Sequence, residues 1–239
     1  MISVLSDMMS YTFIVRAMIV GGLVALCSAL LGVSLVLKRY SMIGDGLSHV
    51  AFAALTIAVA MNVAPLYIST PIVTVAAIIL LRLSENSKIK GDSAIALIST
   101  VSIAIGVVVT ALTKGMNTDV YSYMFGSILA MSESDVYMSI ALSVVVIILF
   151  VFFYNKIFAV TFDELFAKAT GTRADAYNMI IAVLTAITIV VGMRIMGTML
   201  ISSLIIFPAL ISMRNFKTFK SVIICSAIVS VVCFLLGII

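Results

Sequence analysis

The stretch Ser41-Met-Ile-Gly-Asp-Gly-Leu-Ser-His-Val-Ala-Phe sets a carboxylate, Asp45, four residues before an imidazole, His49, within an otherwise apolar run. On a helix that spacing puts both side chains on one face, one turn apart. His49 is the single histidine of the chain. A carboxylate and a neutral imidazole are first ligands for a divalent transition metal, and zinc, manganese and iron all accept them. Two ligands are only half a shell. A two-fold axis would double them to two Asp and two His, enough for a four-coordinate site, so the metal chemistry asks for a second copy or a pseudo-symmetric partner. The competing reading is a structural Asp–His hydrogen bond at a helix end, close to Lys38 and Arg39. Gly44, Gly46, Ser48, Ala51 and Ala54 surround the pair and let a neighbouring helix approach closely.

The elements that position this pair follow from composition. Of 239 residues, 64% are hydrophobic and 10% charged, where soluble domains carry about 25% charged residues. Mean hydropathy is +1.32. So few charges cannot cover a soluble surface of this size, and the chain reads as polytopic in a membrane. Barrel strands alternate apolar and polar residues, whereas these runs are unbroken, so the backbone is expected to be all-helical. An Asp and a His inside such a helix mark a polar path or a paired site, because ionisable groups at that depth are costly.

Splitting the chain at its charges gives apolar segments 13–37, 42–62, 66–81, 94–113, 136–155, 176–193, 197–213 and 221–239. The expected architecture is a membrane bundle of about eight spans over a single domain, residues 1–239. The piece Asp119 to Met131 is too short to cross and is read as a re-entrant or tilted half-helix. Eleven of the fourteen Lys and Arg then fall in alternate loops, leaving Arg16, Lys114 and Arg194 opposite. That bias puts the basic loops in the cytoplasm and the N-terminus outside. The last segment runs to Ile239 without polar flank or anchor, so a further C-terminal stretch is expected. Cys27, Cys225 and Cys233 lie in apolar runs without metal or disulfide spacing and read as packing residues. Pro208 interrupts the run 197–213 and is expected to kink it, with a hinge as the functional alternative.

Between the fifth and sixth full spans, Thr161-Phe-Asp-Glu-Leu-Phe-Ala-Lys-Ala-Thr-Gly171 reads as a short cytoplasmic helix. Thr161 and Glu164 fit a capping box, and Gly171 fits the position just past the C-cap. Phe162, Leu165, Phe166 and Ala169 form one apolar stripe. Such a stripe either lies on lipid or docks a soluble partner. No phosphate-binding G-x-x-x-x-G-K-[ST], no His-Glu-x-x-His and no Gly-x-Ser-x-Gly occurs, so neither catalytic residues nor a bound cofactor are expected.

Four ordered blocks resemble the membrane permeases of the zinc/manganese/iron family of ABC transporters. They are Lys38-Arg39 through Ala51, Met124-Phe-Gly-Ser-Ile-Leu-Ala-Met-Ser-Glu-Ser-Asp135, Thr161 through Gly171, and Val191-Gly-Met-Arg-Ile-Met-Gly-Thr-Met-Leu-Ile-Ser-Ser-Leu-Ile-Ile-Phe-Pro-Ala209. The resemblance implies an ABC importer permease fold in the prokaryotic plasma membrane, working as a homodimer. Two P-loop ATPase subunits would sit below it and an extracytoplasmic metal-binding protein above, with no nucleic-acid partner. It implies that Asp45 and His49 contact or gate the transported Zn²⁺, Mn²⁺ or Fe²⁺. It implies further that Phe162, Asp163, Glu164, Leu165, Phe166, Ala169 and Gly171 belong to the helix that couples to the ATPase. Family members commonly continue past the point where this chain stops. Two alternatives remain at this stage. A permease for a metal chelate, such as a siderophore or cobalamin, would need a wide path and no Asp–His pair. An ion-coupled secondary carrier would leave Phe162 and Phe166 unexplained.

Overall fold

The computed structural model describes residues 11–40, 42–86, 91–113, 126 and 133–238, and every regular element among them is a helix. In chain order these are α1 (Thr12–Leu37), α2 (Ile43–Ala60), α3 (Pro65–Asn86), α4 (Gly91–Leu112), α5 (Glu133–Phe152), α6 (Tyr154–Phe162), α7 (Glu164–Ala169), α8 (Ala174–Asn215) and α9 (Phe219–Ile238). Seven of them are long and apolar enough to cross a bilayer.

One of the seven, α8, crosses twice. Its 42 residues would extend about 63 Å as a straight helix, roughly double a hydrocarbon core of about 30 Å. Gly197 breaks it at φ 79°, ψ 170°, a conformation that only glycine reaches cheaply. Beyond the break the chain turns back. A Cβ on Gly192 would lie 2.4 Å from the Ile201 side chain, whereas nine residues of straight helix would separate the two by about 13 Å. The expected segments 176–193 and 197–213 are therefore two passes joined at Gly197, making eight passes among the described residues.

Helix α1 is the centre of the bundle. Both halves of α8 lie on it, held close by absent side chains: a Cβ on Gly32 would fall 2.0 Å from the Ile205 carbonyl oxygen. Helix α9 packs antiparallel to α1, with Gly21 against the Phe234 ring and the Ser230 hydroxyl donating to the Ala25 carbonyl at 2.8 Å. The α5 backbone meets α1 where the Cys27 thiol donates to the Ser143 carbonyl at 3.5 Å. Cys27 is buried and Cys225 partly so, as expected of packing residues, but Cys233 is exposed on the outer face of α9. Leu97, Val101, Val108 and Leu112 of α4 and Val145, Ile148 and Val151 of α5 are exposed. Aliphatic faces of this kind suit lipid contact.

Contacts between helices also fix which ends share a side. Gly46 and Phe52 of α2 meet Ile95 and Gly106 of α4 respectively, so α2 and α4 run parallel. Glu133, at the start of α5, pairs with Arg16 near the start of α1 at 2.6 Å. Since α2 runs against α1, the end of α4 and the start of α5 share one side of the bundle. The half-helix expected for Asp119–Met131 itself lies outside the described residues, apart from Gly126. Lys38, Arg39, Arg82, Lys156, Lys168, Arg173, Arg214, Lys217 and Lys220 share one end of the bundle, and Arg16 and Arg194 the other. The lysine-rich end is the cytoplasmic one by the positive-inside rule.

Candidate metal pair and cytoplasmic helix

From Ile43 to Thr56 every residue of α2 is buried except Asp45 and His49. Packing explains the selection. A Cβ on Gly46 would lie 2.6 Å from the Ile95 side chain of α4, and one on Gly44 would lie 3.2 Å from the Ile205 side chain of α8. The small residues press α2 between these two neighbours and turn the ionisable pair to the uncovered face. His49 Nε2 stands 3.7 Å from Asp45 Oδ2, with the side chains 22% and 45% exposed. At that distance the two side chains are close neighbours without a hydrogen bond between them. Both keep lone pairs for another ligand. Asp45 lies in the first turn of α2. Among the described residues no group of three or more His, Cys, Asp and Glu side chains comes together.

The expected cytoplasmic helix is present, with a different start. Thr161 is the buried penultimate residue of α6 and does not cap α7. The cap is Asp163, whose Oδ1 accepts the Phe166 N–H at 2.9 Å. The chain bends at Asp163, so Phe162 ends the preceding helix. Asp163 outperforms Thr161 here because a carboxylate at an N-cap gains from the helix dipole as well as the hydrogen bond. The far end forms as anticipated. Gly171 has φ 80°, its N–H donates to the Lys168 carbonyl at 3.1 Å, and the Thr172 N–H donates to the Ala167 carbonyl at 2.9 Å. This pair of bonds is a Schellman closure.

Ala167 anchors α7, being 1% exposed, while Leu165 and Phe166 project at 81% and 64% exposure. Ala169 is also exposed. Phe162 stands apart from these two, its ring 4.9 Å from Phe158 and 5.7 Å from Phe219 in an aromatic cluster joining α6 to α9. Of the stripe read from the sequence, Leu165, Phe166 and Ala169 are exposed on α7, and Phe162, also exposed, belongs to the end of α6.

Glu164 faces inward. Its Oε2 lies 3.5 Å from the Lys38 ammonium and accepts from Asn178 Nδ2 at 3.1 Å. Lys38 also donates to Asn178 Oδ1. On the outer flank, Lys168 pairs with Glu164 Oε1 at 3.0 Å and with Asp175 at 2.8 Å. Burial favours the neutral form of Glu164, but hydrogen bonds from Asn178 and Lys168 and the charges of Lys38 and Lys168 outweigh it, holding the carboxyl below its ordinary range. The stability this contributes is present above the ordinary glutamate pKa and is lost only as pH falls through the depressed value. Lys168 is shifted upward by its bonds to Asp175 and Glu164, so its side of the network is lost only well into the alkaline range. Sequence reading placed Lys38 among the basic loops and beside the Asp45–His49 pair without a partner on α7 or α8, and passed over Asn178. Its one signal was a lone amide early in an apolar run.

Pro208 is buried within the second half of α8, where the backbone remains helical and its carbonyl accepts the Ser212 hydroxyl at 2.7 Å. The break in α8 lies at Gly197, which the sequence reading did not single out. Gly126 packs on that break: a Cβ there would lie 2.6 Å from the Gly197 nitrogen and the Ile195 oxygen.

The chain and its helical bundle match known proteins. The description "ABC 3 transport family" fits residues 10–239. This chain belongs to that family. Among its relatives in the ABC 3 family, a manganese transport system membrane protein of Halalkalibacterium halodurans is 26% identical over 84% of this chain and 69% of its own length. A high-affinity zinc uptake system membrane protein of Haemophilus influenzae is 28% identical over 93% of this chain and 85% of its own. The solved structure of PsaBC from Streptococcus pneumoniae in complex with Fab superposes with a TM-score of 0.87 at 27% identity, covering 99% of this chain and 86% of that one. The ABC 3 chain is thus a multi-pass cell-membrane subunit with a permease fold. It is not itself an enzyme, since in these transporters ATP is hydrolysed on a separate subunit.

Proposed function

We propose that this chain is the membrane permease of an ATP-driven importer of a divalent transition metal, Zn²⁺, Mn²⁺ or Fe²⁺. The observation that carries the proposal is the uncovered face of α2, where Asp45 and His49 alone escape burial between Ile43 and Thr56. An ionisable pair in a membrane helix is not left to lipid, because its desolvation is too costly. A second copy placed about a two-fold axis covers it and brings two carboxylates and two imidazoles together. The names of the manganese and zinc relatives support the same cargo. Metal binding requires Asp45 ionised and His49 neutral, so protons compete with the cation. Leu165 and Phe166 are the contact for an ATPase subunit at the cytoplasmic face, one for each permease copy, and an extracytoplasmic binding protein delivers the metal to the opposite end.

The test is metal uptake normalised to the amount of permease in the membrane. Asp45→Asn keeps shape but removes the charge that offsets the cation, and His49→Ala removes the only imidazole. Each variant is expected to lose uptake per molecule while retaining its membrane level and its bound ATPase. Parental uptake per molecule in both variants would remove the pair from the metal path.

A further inference from the structure

Lys38 is the C-cap residue of α1, yet its side chain is only 9% exposed. It points inward to Asn178, itself 3% exposed, and to Glu164, the first residue of α7. A buried lysine of this kind gains little net stability over an apolar side chain of similar volume, so its presence calls for another explanation. Its location supplies one. The segment after Lys38 is short and internally bonded: Arg39 holds φ 62°, the Tyr40 N–H donates to the Leu35 carbonyl at 2.9 Å, and the Ile43 N–H donates to the Tyr40 carbonyl at 3.0 Å. Helix α2 begins at Ile43, and Asp45 lies two residues further on. A displacement of α7 therefore pulls on Glu164, then Lys38, then a stiff turn, and then the helix that bears Asp45 and His49. Helix α7 is also held by Ala167, packed in one cluster with Val160 of α6 and Ala174 of α8, and by bonds to α8 through Asn178 and the Lys168–Asp175 pair.

We propose that Lys38 is a positioning residue for transport, the strut through which movement of the ATPase-docking helix reaches the Asp45–His49 pair. This rests on the docking reading of Leu165 and Phe166 and goes beyond it by naming the link. The test uses the full transporter, permease with its ATPase and binding protein, reconstituted in vesicles with the metal alone as cargo. Metal transported and ATP hydrolysed are measured together. Lys38→Met keeps the buried stem and removes the ammonium. It is expected to retain co-purifying ATPase and to raise the ATP hydrolysed per metal ion by about tenfold or more, within the usual range of coupling between sites. Lys38→Arg, which keeps the charge, should restore most of the parental ratio. A parental ratio in Lys38→Met overturns the proposal, and so does loss of the ATPase from that variant, which would make Lys38 a support for α7 alone. Should Lys38→Met fail to accumulate, Asn178→Leu is measured in the same way, with a raised ratio expected and a parental one fatal. Failure of the docking reading shows elsewhere, as ATPase retained by a Phe166→Asp variant.

Discussion

Arg194, near the end of the first half of α8, holds its Nη1 2.8 Å from Oδ1 of Asp135 in the first turn of α5, and the two side chains are only 6% and 16% exposed. With Arg16 paired to Glu133, both described arginines at the sparsely charged end of the bundle are neutralised by the same helix turn. Removing one member leaves the other charge buried without its counter-ion. Arg194→Met should therefore destabilise the purified permease by about 3–5 kcal/mol, whereas the double change Arg194→Met with Asp135→Leu should recover most of that loss. Thermal unfolding in detergent reads both. An Arg194→Met variant that melts with the parent would show that the pair carries no such load.

Leu165 and Phe166 are exposed without structural work of their own, since Ala167 supplies the anchor of α7. Phe166→Asp is expected to leave melting unchanged and to weaken ATPase association by roughly 30-fold or more, the loss typical of an aromatic anchor in an interface. Pull-down of the ATPase at graded concentration measures it. Undiminished binding would move the docking surface elsewhere.

Gly32 and Gly22 both lie in the middle of α1, and their surroundings differ completely. A Cβ on Gly32 collides with the Ile205 backbone, whereas one on Gly22 meets nothing within 4 Å. Gly32→Val should separate α1 from the second half of α8 and prevent accumulation of folded protein, because backbone cannot move aside as a flexible side chain does. Gly22→Ala should be neutral, or stabilising by up to about 1 kcal/mol through helix propensity. Yield and monodispersity of the two variants give the comparison, and equal behaviour would contradict the packing.

Sidedness is checked after Cys27, Cys225 and Cys233 are replaced. A cysteine at Val63, exposed after α2, should react with a membrane-impermeant thiol reagent in intact cells. One at Lys217, between α8 and α9, should react only once the cells are opened. The reverse pattern would invert the orientation set by the basic loops.

Sequence alone determined the chemistry and the grammar of this protein. The scarcity of charge demanded a helical membrane bundle, the alternate loops of Lys and Arg ordered its ends, and the spacing of Asp45 and His49 placed both on one face. Those inferences depend on composition and on helix periodicity, which are local quantities. What the sequence left open depends on which helix lies against which. The runs 176–193 and 197–213 could be drawn as two spans, but only the Gly192–Ile201 contact shows the chain folding back at Gly197. Thr161 read as the cap of the cytoplasmic helix, and the bend between α6 and α7 gave that position to Asp163. Lys38 read as a topology signal until the fold brought it to Glu164, 126 residues away in the chain. Pairings across such separations arise from close packing between helices, and no spacing along a single helix encodes them.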